Sequence, residues 1–381
     1  MSSNNKMRIF TPHATGTFIE RPNRFIVHVQ LPGEIARAHC PNPGRLIELM
    51  NPGRVMILEK AKDPDRKTAW TLVAANYKGE TVLLYSARAN AVAGELIIPR
   101  LFPDAENIKA EYKWKSSRFD WHFFVGDREI FLEVKACTLI EEETAMFPDA
   151  PSIRASRHLK ELAEITEAPD NREGHALFVI MNPGTRRFIP NLHTDPDFAV
   201  CVADVADKVT LHGVSCSCDP LGELSLVSTD IPILTDLHKA AVAGSGIYML
   251  LITIKNKDIP IGSLGEIHFK KGYYIYAGSA AKNLKSRVAR HLRKRKKFHW
   301  HVDYLLAESE KVQAFPVYTE KDLECSMASD LSDIADGRIE KFGCSDCSCP
   351  SHLFYFRENP LHNREFLDLL FHYRHSLAFS D

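Results

Sequence analysis

Two charged residues inside an apolar run constrain this chain more than any other feature. The stretch FLEVKACTL, residues 131–139, is mostly apolar, aromatic and β-branched and reads as a buried strand, yet Glu133 and Lys135 sit two apart within it. Successive strand side chains point to opposite faces, so both charges share one face. Upstream, in SSRFDWHFFVGDREIFLEVKACTL, Gly126 and Asp127 form a Gly-first pair suited to a two-residue hairpin turn. With that pair as the loop, Val125 faces Arg128 and, counting back, Asp120 faces Glu133. Like charges placed opposite one another, with Cβ atoms about 4.5–5.5 Å apart, destabilise a sheet unless something positive sits between them. Lys135 is one candidate; a divalent cation on hard oxygen ligands is the other. A plain Glu–Lys ion pair at a sheet edge would explain EVK alone. With Asp120 added, the arrangement is that of a metal-dependent phosphodiesterase: Asp120 and Glu133 hold magnesium or manganese, and Lys135 steadies the attacking water or the developing charge.

The surroundings read as mixed α/β. Short alternating runs between Phe10 and Ser86, punctuated by Pro, Gly and Asn, predict a small β-barrel over residues 1–86. Arg21 and Arg24 alternate with apolar residues there, and the turn HCPNPGRLIEL carries Asn42, Gly44 and Arg45. These polar residues are either a solvated surface or a nucleic-acid contact. In APSIRASRHLKELAEITE, Ile153, Leu159, Leu162 and Ile165 have helical spacing, with Arg154 and His158 at i, i+4 on one side. Strands in HALFVIMNP and RRFIPNL complete a second domain, 87–228, and residues 229–245 read as a linker with a short helix.

Read in order, RFIVHV, AHCPNPGRLIEL, SRFDWHF, FLEVKACTL, FPDAPSIRASRHLKEL and FIPNLHTDPDFA resemble the sugar fermentation stimulation protein A family from Phe10 to Val227. The resemblance implies an N-terminal OB-fold barrel followed by a PD-(D/E)XK nuclease-like domain, in a family known for binding DNA. It puts Asp120, Glu133 and Lys135 at the nuclease signature positions, Glu111 as a possible further acid, and Arg154 and His158 where a phosphate is met.

Residues 246–381 form a third region. GIYMLLITI and GYYIYAGSA read as apolar strands, and NLKSRVARHLRKRKK as a helix with Leu284, Val288 and Leu292 as its buried stripe and Arg287 and His291 bordering it. Tyr248 in GIY and Tyr276 in YAG, followed by that helix, HWHVDYLL, LECSMA and GCSDCSCPSHLFYF, resemble a GIY-YIG nuclease domain of α+β fold. The resemblance implies that Tyr248, supported by Tyr276, assists deprotonation of water, that Arg287 stabilises phosphate charge, and that Glu324 holds the metal; His291, on the same helix, is a further catalytic candidate. YAG departs from the name-giving tripeptide but keeps its glycine, Gly278, and KNKDIPIGSLGEIHFKKG is a long insertion between the tyrosines. Lys282 to Lys297 contains many cations and no acid, so Arg290, Arg293 and Lys294 are candidate phosphate contacts.

Composition narrows the partners. The 381 residues carry 45% apolar and 25% charged side chains, a net charge of −1 and no run long enough to span a bilayer, which predicts a cytoplasmic protein of two or three domains without a membrane partner. Nine cysteines without framework spacing read as reduced thiols. Cys344, Cys347, Cys349 and His352 are spaced tightly enough to supply zinc ligands or to form a packed turn of free thiols; Cys216 and Cys218 are weaker candidates. Two functions remain open: a magnesium-dependent DNA endonuclease, or a non-cleaving DNA-binding regulator, in keeping with the family name one of sugar (maltose) genes. RNA in place of DNA stays open as well.

Overall fold

Apolar alternation through the first part of the chain produces six strands, Ala14–Asn23, Ile26–Leu31, Glu34–His39, Val55–Lys60, Trp70–Tyr77 and Glu80–Leu83. The third also pairs in parallel with the fifth, through Ala38–Trp70 and His39–Thr71, which closes five of them into the expected barrel. The structure, a computed structural model, describes residues 5–377 except 64, 169 and 237–243. These fall into two units, 5–191 with 195–236, and 192–194 with 244–377.

In the first unit the chain leaves the barrel through helical turns at 86–101 and enters a seven-stranded sheet. Its centre is parallel: Arg172–Ile180 lies between Arg128–Cys137 and Val209–Cys218, all three largely buried. Ser117–Val125 and Ala105–Trp114 extend one side antiparallel. The hairpin turns at Gly126 (φ +60°), and its ladder runs from Arg128–Val125 through Leu132–Trp121. The two faces of Arg128–Cys137 meet different cores. Ile130, Leu132 and Val134 belong to a continuous core that runs through the helical turn at Ala89 and Val92 to barrel residues such as Val27 and Leu58, whereas Phe131 and Cys137 belong to the core of the helix Ile153–Thr166. Glu133 and Lys135 have the parity of the second set, so period-two alternation aims both at the helix side.

That helix starts at Ser152, whose hydroxyl accepts from Ala155 N, and buries Leu159, Leu162, Ile165 and also His158. Ile153, expected in the buried stripe, is 91% exposed because it occupies the first helical position, ahead of the packed turns. Of the expected linker, 229–236 lies against the sheet: Ile231 is buried and donates its N–H to Gly213 O, and Leu234 N donates to Phe188 O. The short helix expected further along falls mainly on 237–243, outside the described residues.

The second unit is a five-stranded antiparallel sheet ordered Lys311–Tyr318, Gly246–Ile254, Gly272–Ala280, Leu353–Phe356, Gly337–Arg338. The long insertion between the tyrosines folds as its own hairpin, Lys257–Pro260 with Glu266–Phe269. The helix that follows covers only Leu284–Leu292. Beyond it the chain turns back, with Lys296 Nζ donating to His291 O at 2.7 Å in the last helical turn and lying 3.4 Å from Asp303 Oδ1. The helix's buried stripe is Leu284, Val288 and His291; Leu292 is 47% exposed. Among the described residues, no helix is long and apolar enough to cross a membrane.

Candidate functional site

Past the Leu132–Trp121 pair the hairpin strands part, and this is how the chain avoids opposing two carboxylates in a ladder. Asp120 Oδ2 instead accepts the Val134 N–H at 2.7 Å, and Oδ1 accepts from Asn90 Nδ2 at 2.6 Å. Glu133 is 3% exposed; its Oε1 accepts from Lys135 Nζ and, at 2.6 Å, from His158 Nδ1. Arg154 Nε donates to His158 Nε2 at 3.4 Å, which leaves Nδ1 as the protonated nitrogen facing the glutamate. Glu133 Oε2 is buried and has no hydrogen-bond partner among the described residues. Asp120, Glu133 and Lys135 all line one pocket of about 440 Å³, with Arg24 and Arg154 at its exposed rim.

The two acids are electrostatically unlike. Burial, then the charge of Glu133, pushes the Asp120 carboxyl up to about 6. Burial acts on Glu133 in the same direction, but the His158 hydrogen bond and the Lys135 charge outweigh it and hold this carboxyl below its ordinary value. One acid is thus firmly ionised, and the other ionises fully only near neutrality unless a cation shares the site.

Several residues expected to touch nucleic acid build the pocket instead. Arg21 donates to the carbonyls of Arg24, Asn42, Gly44 and Arg45, clamping the 42–45 turn. Asn42 is buried, accepts from Gly44 N and donates to Leu84 O. His158 is 1% exposed beneath Glu133, out of reach of a phosphate. Glu111 points to solvent beside Arg118 at 3.7 Å and is not among the pocket's residues. Arg24, Arg45 and Arg154 remain exposed.

A second pocket, of about 280 Å³, gathers Tyr248, Tyr276, Arg287 and Glu324, together with Ser279 and Trp300. Tyr248 and Gly278 are direct cross-strand partners. A Cβ on Gly278 would come within 2.6 Å of Tyr248 Cζ and Oη, so the glycine is required for the tyrosine ring to lie across the strand. Tyr248 Oη lies 2.9 Å from His291 Nε2, and His291 Nδ1 is 3.7 Å from Asp303 Oδ1. Burial raises the Tyr248 phenol well above its ordinary value, although nearby Arg287 opposes it. The Glu324 carboxyl is pushed up by burial but held low by hydrogen bonds from His352 and Ser279 and by Arg287.

Asp303, which lies in HWHVDYLL but is not among the expected site residues, organises the cationic segment. Wholly buried, it accepts both Arg290 nitrogens at 3.1 and 2.9 Å and the N–H groups of His299 and Trp300. Arg290 is therefore a structural partner, and the Arg287 and Arg290 guanidiniums both lie on the Trp300 ring, 4.5 and 4.4 Å from its centroid. Arg293 and Lys294 are exposed. The tight cysteine set is also rearranged. Cys344 donates to Phe342 O at 3.3 Å, and its place beside Cys347, Cys349 and His352 is taken by Cys325 from the helix Glu324–Ile334. The signal for it lies in LECSMA, where a cysteine directly follows the candidate metal-binding glutamate.

Comparisons place these parts. Residues 19–84 match the SfsA N-terminal OB domain, 86–222 the sugar fermentation stimulation protein RE domain, and 247–373 a domain of unknown function, DUF123. A sugar fermentation stimulation protein homolog of Ruminiclostridium cellulolyticum is 38% identical over 185 residues, 48% of this chain and 81% of the relative. One from Desulfitobacterium hafniense is 34% identical over 210 residues, 55% of this chain and 91% of the relative. The solved structure of Pyrococcus furiosus SfsA in complex with Ca2+ shares 28% identity at a TM-score of 0.54, covering 60% of this chain and 99% of its own. On the match of both N-terminal segments and of relatives covered over most of their length, this chain belongs to the sugar fermentation stimulation protein (SfsA) family.

Proposed function

We propose that this chain is a divalent-metal-dependent DNA endonuclease with two candidate centres, one at Glu133 and one, of GIY-YIG type, at Glu324. The observation that carries the first is the unpartnered, buried Glu133 Oε2 beside Asp120 in an open pocket. An orphaned carboxylate oxygen costs free energy unless something takes it up, and a hard cation fits that donor set. The Pyrococcus furiosus relative was solved in complex with Ca2+, a cation of this hard class. Bound there, a divalent cation supplies charge to a phosphoryl oxygen and acidity to water. The protein's own groups do the rest: His158 Nδ1–H fixes the Glu133 orientation, Lys135 holds an ammonium at the reacting centre, and Arg24 and Arg154 hold flanking phosphates without reading sequence.

At the second centre the raised Tyr248 phenol excludes a standing phenolate at neutral pH. As Tyr248 Oη takes a proton from water, its own passes to His291 Nε2, and Asp303 stabilises the resulting imidazolium. Arg287 neutralises phosphoryl charge, and Glu324 and the Ser279 side face the same pocket. The barrel's OB character favours nucleic acid as the ligand.

The test is a cleavage screen with magnesium or manganese across single-stranded, duplex, branched and damaged DNA, with RNA alongside. Glu133→Ala and Glu324→Ala should each remove a distinguishable part of the activity. The second reading is a regulator that grips DNA without cutting it, a role compatible with relatives named for sugar fermentation stimulation. Intact substrates over long incubation, with binding retained, would select that reading.

A further inference from the structure

We infer that Cys325, Cys347, Cys349 and His352 form a tetrahedral zinc site, and that the ion, through His352, sets the position of Glu324. Their donor atoms all lie within 4.8 Å of one another. A Cys₃His zinc with Zn–S near 2.3 Å needs sulfurs about 3.8 Å apart, so no pair of thiols has to close by more than about 1 Å on binding. Three soft ligands and one imidazole select zinc over the hard cations suited to Glu133.

Local folding points the same way. None of residues 343–350 is buried, and they contain no helix or strand. Backbone bonds tie only the ends of this segment, Lys341 N to Pro350 O at 2.8 Å and His352 N to Phe342 O at 2.9 Å. A loop with no apolar anchor nevertheless brings Cys347 and Cys349 onto the first turn of a helix that carries Cys325. Such convergence without a core is what a bound ion stabilises in small metal modules.

The site is wired to the second pocket. His352 is 1% exposed; its Nε2 lies 3.2 Å from Cys347 Sγ, and its Nδ1 is 3.0 Å from Glu324 Oε1 and 3.3 Å from Ala277 O. Ligation through Nε2 leaves Nδ1–H to donate to the carboxylate, the usual outward bond of a metal-bound histidine. The same loop walls the pocket: Gly343, at φ +76°, lies where a Cβ would come 3.0 Å from Tyr276, and Asp346 lines the cavity. His352 and this loop are therefore positioning elements, and that part of the inference rests on the function proposed for Glu324.

The test uses the full chain purified under reducing conditions. One zinc per chain is expected by elemental analysis; Cys325→Ser and Cys349→Ser should lose it, and Cys344→Ser should keep it. Replacing zinc with cobalt should give the intense visible bands of a tetrahedral, thiolate-rich site in wild type and in Cys344→Ser, which guards against loss through misfolding of the other variants. Removing zinc should weaken Mn2+ binding that depends on Glu324 by about 10- to 100-fold. Binding that depends on Glu133 should be unchanged. Reduced wild type without stoichiometric metal, or equal zinc loss in Cys344→Ser and Cys325→Ser, overturns the site whatever the cleavage screen finds. Stoichiometric zinc with unaltered Mn2+ binding overturns the link to Glu324 alone.

Discussion

Asp120→Asn should make the metal-free protein more stable at neutral pH while removing a proposed metal ligand. In the folded chain this carboxyl ionises near about 6, against 3.8 for the ordinary side chain. An acid whose folded value is raised penalises the native state as pH climbs, because the unfolded chain releases the proton first; the loss accumulates between about pH 4 and pH 6 and is complete above that. About two units correspond to about 3 kcal/mol. Asparagine keeps an oxygen for the Val134 N–H but turns a second donor toward Asn90, which costs about 1 kcal/mol. The net gain at pH 7.5 is therefore about 2 kcal/mol, shrinking to nothing or reversing near pH 4. Urea denaturation in chelator at both pH values measures it. Added magnesium or calcium should then stabilise wild type, by about 2.7 kcal/mol at a hundredfold excess over its dissociation constant, but not the variant. A variant destabilised equally at both pH values, or stabilised by metal as wild type is, would refute the electrostatic account.

Gly278→Ala should destabilise the second unit by about 1–3 kcal/mol, read by thermal unfolding, because the added methyl enters the Tyr248 ring; a neutral result would mean that the ring has room to move. Arg21→Ala should release the 42–45 turn and raise its proteolytic or amide-exchange rates, since four carbonyls lose their donor. Replacing Arg293 and Lys294 should lower the salt-dependence slope of DNA binding by about one for each phosphate no longer neutralised, whereas Arg290→Gln should cost stability through Asp303 and leave that slope nearly unchanged. An unchanged slope after the first pair of substitutions would locate the DNA surface elsewhere.

Periodicity and turn chemistry made much of this legible in advance. Gly126–Asp127 fixes the hairpin register, and that register puts Asp120 and Glu133 at the same level of neighbouring strands, where both line one pocket although the ladder stops one pair short of them. The barrel follows from the same alternation, and Gly278 from the close approach its motif demands. What stayed hidden depends on contacts between distant segments. Nothing local marks Arg21 as a clamp rather than a phosphate ligand, since either role wants an arginine beside a polar turn. Burial of His158 and His291 follows from carboxylate and phenol partners lying 25 and 43 residues away in the chain. Cys325 escapes notice for a related reason: ligand spacing along one loop is visible, whereas a ligand offered by a separate helix is not.

The strand bearing Glu133 shares the core at its back with the helical turn at 89–92 and, through it, with the barrel, and it has the helix holding His158 against its front. Whatever loosens the barrel therefore shifts the acid. Over evolutionary time the two halves of this unit would then be obliged to travel together: swapping in a foreign barrel, or clipping this one off, would leave the strand with one side wet and its carboxylate without a fixed address.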